Sequence, residues 1–97
     1  VFFDRHEIER LMRVYGRMVA AGEWRDYRID GLSDAAVFSI FRHAAEHPIY
    51  RVEKRPALAS KQGAWQVIGL SGAILKRGND LDQVLRVFDK SRFTVVK

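Results

Sequence analysis

Ala36–Arg55, AVFSIFRHAAEHPIYRVEKR, decides how the chain is read. Val37, Phe38, Ile40 and Phe41 are β-branched or aromatic, and they are apolar at both odd and even positions. That is the signature of a central strand covered on both faces. The same letters also fit a helix from Ser33 to His47, with Val37, Ile40, Phe41 and Ala44 on one stripe and Ser33 as its cap. The short polar link HAAEHP runs straight into a second strand-like segment, which favours the strand reading of Ala36–Arg42. Ile49–Arg55 is then the return strand. Tyr50 and Val52 lie on one face, with Arg51, Glu53, Arg55 and Ile49 on the other, and Pro56 ends it because proline cannot donate to a ladder.

Outward from this hairpin, Asp4–Ala21 places Ile8, Leu11, Met12, Tyr15, Met18 and Val19 at helical spacing. Asp4 with Glu7 forms a capping box, Phe3 is placed to staple against Ile8, and Gly22 stops the helix. The opposite side aligns His6, Arg10, Arg13 and Arg17, a solvated face supported by a Glu9–Arg13 pair. Glu23–Asp30 alternates Tyr27 and Ile29 with charges, as a half-buried strand near an edge does. Gly31 and Ser33–Asp34 mark the turn after it. Pro56–Gly63 reads as a loop or a single helical turn. Ala64–Leu70 and Ala73–Arg77 flank Ser71-Gly72, a hairpin signal. Asp80–Lys90 is a second helix, capped by Asp80, burying Leu81, Val84, Leu85 and Phe88, with Arg86 and Lys90 toward its end. Phe93–Lys97 reads as a last strand. The expected fold class is α+β: an antiparallel sheet of about five to six strands, with an N-terminal and a C-terminal helix packed on one face. The 97 residues suit a single domain.

The chain contains no cysteine, so disulfides, thiolate metal sites and cysteine nucleophiles are excluded. This suits a reducing cytoplasm. No apolar run has the length of a membrane span and no signal-peptide pattern is present, so no membrane partner is expected. Starting at Val1 rather than Met, the chain reads as a trimmed or processed piece.

Net charge is +5 and its distribution is uneven. Residues 1–41 carry 6 basic and 7 acidic side chains, residues 42–77 carry 7 and 2, and residues 78–97 carry 4 and 3. The surplus sits in the middle third. It nominates Arg51, Lys54, Arg55, Lys61, Lys76 and Arg77 as contacts for nucleic acid or another polyanion such as an acidic protein, with Tyr50 and Trp65 as stacking platforms. The bland account is that both aromatics point into the core and the cations guard strand edges.

The motifs of catalysis are weak or missing. His43-Ala-Ala-Glu-His47 matches the H-x-x-E-H pattern of inverted zinc peptidases, making a small zinc enzyme the remote alternative. The pattern sits in a hairpin link, Pro48 would end any helix, and a third ligand is not evident. No phosphate-binding loop and no nucleophile elbow occur. The expectation is therefore a non-enzymatic binding domain with no cofactor and no metal site. Beside polyanion binding stands a protein-interaction or self-association role, such as a homodimer using a sheet edge or an apolar face.

The segments Gly22-Glu-Trp-Arg-Asp-Tyr27, Val37-Phe-Ser-Ile-Phe-Arg42, Pro48-Ile-Tyr-Arg-Val-Glu-Lys-Arg-Pro56 and Leu75-Lys-Arg-Gly-Asn-Asp-Leu81 resemble, in order and phrasing, a family of small bacterial proteins catalogued only as a domain of unknown function. The resemblance implies a bacterial cytoplasmic protein. It transfers no catalytic or binding residue.

Overall fold

A computed structural model describes residues 1–43 and 47–89. Ala36–Phe41 is a strand, and it is the most buried one in the sheet, with all six residues enclosed. The helical alternative for Ser33–His47 is thereby set aside for the described part of that segment. The elements in chain order are α1 (Arg5–Ala20), β1 (Asp26–Gly31), β2 (Ala36–Phe41), β3 (Tyr50–Lys54), a 3-10 turn at Pro56–Leu58, β4 (Trp65–Gly69), β5 (Ile74–Gly78) and α2 (Leu81–Leu85). The strands pair antiparallel with their sequence neighbours, in the order β1-β2-β3-β4-β5. The expected last strand, Phe93–Lys97, lies outside the described residues, as does Lys90 at the end of the expected second helix.

Register assigns the faces, because directly opposed residues share a side and successive residues alternate. Phe38 opposes Val52, which opposes Val67. These side chains form one core with Leu11 and Met18 of α1 and with Leu81, Val84 and Leu85 of α2. Both α-helices thus lie on a single face of the sheet, which is an α+β fold. Aromatic rings knit this layer: Trp24, Tyr50 and Phe88 meet with centroids 4.9–6.1 Å apart.

Each α1 terminus follows from its residues. The Asp4 carboxylate accepts from the Glu7 N–H while the Glu7 side chain accepts from the Asp4 N–H, both at 2.8 Å. At the other end Gly22 takes φ 78°, and Gly22 and Glu23 donate to Val19 and Met18. This is a Schellman stop, a conformation glycine adopts without steric cost.

Three local expectations need correction. Val19 is not part of the buried stripe: it is exposed, and Val14 packs on the core in its place. Ile49 packs toward the core beside Tyr50, because the chain bends there before β3 begins. The Glu9–Arg13 pair does not form among the described residues; Glu9 lies 3.9 Å from His6 instead. Phe3 stacks on Trp65 with ring centroids 6.0 Å apart. The helix after Asp80 breaks at Arg86, a turn that separates α2 from helical residues 87–89.

Candidate interaction surface

The six nominated cations do not gather on one surface. Register places Arg51, Arg55 and Arg77 on the helix-free face of the sheet, and Lys54 and Lys76 on the helix face. Lys61 lies in the loop between the 3-10 turn and β4, exposed. Four of the six are held by neighbours. Arg51 and Arg55 both reach the Glu53 carboxylate, at 3.4 and 3.0 Å. Arg55 also contacts Asp34 at 3.3 Å. The Glu53 hydrogen bond raises the Arg55 pKa further above its already high value, against the opposing effect of burial. Lys54 bonds Glu7 at 2.7 Å and the Phe2 carbonyl at 3.0 Å, with its ammonium 6.0 Å from the Trp65 ring centroid. Arg77 donates to Gln62.

The platforms are spent as well. Trp65 is buried in the core and Tyr50 packs against it, so neither ring faces out beside the cations.

The helix-free face is a charge mosaic. Asp26, Arg28 and Asp30 alternate in sign along β1, Arg51 and Glu53 follow on β3, and Arg77 closes the row on β5. With Arg55 and Asp34 the positive and negative charges there are equal in number. Beneath them Val37, Phe41 and Ile68 are buried although they lie outside the helix-side core. The Arg28 guanidinium lies 5.5 Å over the Phe41 ring, an arginine stem doing the work of a covering helix.

Exposed apolar side chains gather at the β1 edge: of eight large ones among the described residues, four (Phe2, Tyr27, Ile29 and Leu32) border this strand. The Phe2 ring lies against Gly31, where a Cβ would come within 2.7 Å of it. The Val1 nitrogen donates to the Leu32 carbonyl at 2.6 Å and holds Val1 and Phe2 beside the strand. β1 contains neither proline nor lysine, the residues that usually blunt an edge. The opposite edge, β5, also exposes Ile74 and Leu75, but it carries Lys76, Arg77 and a register shift opposite Val67/Ile68. Sequence reasoning placed β1 near an edge but did not foresee that Phe2 and Leu32 would extend its apolar border, since that depends on where the N-terminus folds back.

His43 and His47 are exposed; Glu46, the general base of the zinc pattern, lies outside the described residues. Among the described residues no three acidic, histidine or cysteine side chains converge as metal ligands. Among them, too, no helix is long and apolar enough to cross a membrane.

The chain belongs to the family described as "Protein of unknown function (DUF2794)", which it matches over residues 1–85. No curated protein and no solved structure matches it.

Proposed function

For this member of a family without an assigned activity, we propose a protein-interaction domain that works as a homodimer, joined edge to edge through β1. The observation that supports it is the β1 edge, whose helix-side face and flanks expose Phe2, Tyr27, Ile29 and Leu32. A polyanion surface needs cations that are not already met by carboxylates, and the helix-free face has equal numbers of each sign.

The edge is also self-complementary. A two-fold axis normal to the sheet must pass through a residue, because opposed residues share a face. Centred on Arg28, it sets Arg28 against itself and Asp26 against Asp30. Centred on Asp30, it opposes two Asp30 carboxylates. Centred on Tyr27, it uses only residues 25–29. Centred on Ile29, it uses the whole strand: Arg28 opposes Asp30 of the second copy, Ile29 opposes Ile29, and Tyr27 opposes Gly31 beside Phe2. The backbone phase agrees with this choice. Leu32 N–H donates to the Ala35 carbonyl, so by alternation Asp26, Arg28 and Asp30 bond β2, while Tyr27, Ile29 and Gly31 turn their polar groups outward. Those three are the residues the Ile29-centred register bonds. The outward Tyr27 N–H donates to the Asp26 carboxylate at 2.8 Å, a bond that pairing would have to replace.

The product is one continuous ten-stranded sheet with the helices of both copies on the same side. A cysteine-free chain suits the reducing cytoplasm of a bacterium, where we place this assembly. Sedimentation equilibrium across micromolar to millimolar protein tests it. The wild type is expected to show a monomer–dimer equilibrium, and Ile29→Lys, which opposes two ammonium groups at the axis, is expected to be monomeric. Ile29 is half-exposed, so that variant keeps its fold. A wild type that stays monomeric throughout, or an Ile29→Lys variant that dimerises equally well, overturns the reading.

A further inference from the structure

The positive surplus that the sheet does not use reappears between the helices. Arg10, Arg13 and Arg17 share one side of α1 at helical spacing, and Asp82, Arg86 and Asp89 face them; together they border a groove of about 180 Å3. Arg10 holds Asp82 through its Nε at 3.0 and 3.1 Å, and Arg17 holds Asp89 through a terminal nitrogen at 2.6 Å. Arg13 and Arg86 are exposed and have no carboxylate partner among the described residues. The Arg17 Nε is buried and has no acceptor among the described residues. Four guanidinium groups thus meet two carboxylates, leaving two positive charges on the groove and one unmet donor on an arginine that lines it.

We infer that this groove is a binding site for a phosphate dianion, free or as a phosphate monoester. The charge matches: a phosphate monoester carries about −1.5 to −2 near neutral pH. The donors match, because guanidinium forks engage phosphate oxygens in pairs. The size fits a single anionic group: pockets for whole drug-sized molecules run to roughly 300–1,000 Å3, and an open groove of this volume encloses about one such group. The site is separate from the β1 edge and does not depend on dimerisation.

Isothermal titration of the full chain with inorganic phosphate and with a phosphoserine-containing peptide, against sodium chloride at equal ionic strength, tests it. Saturable binding of inorganic phosphate supports a free-anion site; saturation by the phosphopeptide alone supports a monoester carried on a partner chain. In either case Arg13→Gln/Arg86→Gln is expected to weaken binding by at least about tenfold, while Lys61→Gln, outside the groove, leaves it unchanged. Circular dichroism confirms that both variants are folded; both groove positions are exposed and support no ion pair. Heats no larger than those of the chloride control with both ligands, or full binding by the Arg13/Arg86 variant, overturns the inference.

Discussion

Glu53 shows how a single side chain organises a face that no helix covers. Its side chain is 9% exposed, yet it carries a charge, and two guanidinium groups converge on it. Hydrogen bonds to charged groups contribute roughly 1.5–3 kcal/mol, and deleting one partner leaves the others unmet. Glu53→Ala is therefore expected to destabilise by about 2 kcal/mol, and Glu53→Gln, which keeps one acceptor oxygen and the shape, by less. Urea midpoints at constant m-value read the difference; equal losses for both variants would mean the carboxylate charge does nothing. Tyr15 makes the complementary case for a partly buried neutral group. Its ring packs against Tyr27 and Phe38, and its pKa is raised above the ordinary 10.0, first by burial and then by the nearby Asp26 carboxylate and Tyr27. The folded chain thus favours the neutral phenol. Its contribution to stability is intact below pH 10 and is lost as pH rises through the higher folded value. The stability difference between wild type and Tyr15→Phe should be flat up to pH 9 and then shift against the wild type; a flat difference to pH 11 contradicts it.

Elements were legible in the sequence where one local signal sufficed. Asp4 and Glu7 announced the start of α1, and both hydrogen bonds of the capping box are formed. Asp4→Ala is expected to cost about 1 kcal/mol, seen as a lower melting temperature with an unchanged fold. Val37–Phe41 announced a doubly covered strand, and β2 is buried on both sides. What covers its second side was not legible, because arginine stems and a buried glutamate do work that composition assigns to solvent. The arginine row of α1 was half legible. His6, Arg10 and Arg13 are exposed, as a solvated stripe requires, but Arg10 and Arg17 also reach Asp82 and Asp89. Both pairs are separated by 72 residues, so the two helical segments run side by side in the same sense. No periodicity within either helix encodes a contact made across that distance.

At the scale of the whole molecule, the sequence segregates charge and the fold mixes it again. The basic middle third meets carboxylates from the first forty-one residues: Glu23 pairs with Arg42, Glu7 with Lys54, and Asp34 with Arg55. A one-dimensional charge profile cannot show this, because the pairs are made by strand order and by the fold-back of the N-terminus. The consequence is measurable as a salt slope. For single strands log K falls with log salt by roughly 0.7 for each phosphate neutralised. Were all six nominated cations to engage single-stranded nucleic acid, the slope would be about −4. With Arg51, Lys54 and Arg55 already held by carboxylates, Lys61, Lys76 and Arg77 alone give about −2, half the slope of the full set. Fluorescence anisotropy with a labelled oligonucleotide between 20 and roughly 200 mM salt, a range over which a six-contact site would lose more than a thousandfold in affinity, separates the two. A shallow slope is expected for the wild type, and Glu53→Gln together with Glu7→Gln, which release Arg51 and Lys54 while Asp34 still holds Arg55, should steepen it. A steep slope in the wild type would mean that nucleic acid displaces the internal carboxylates from their partners. The sheet would then be the anionic contact surface that its linear charge distribution suggests.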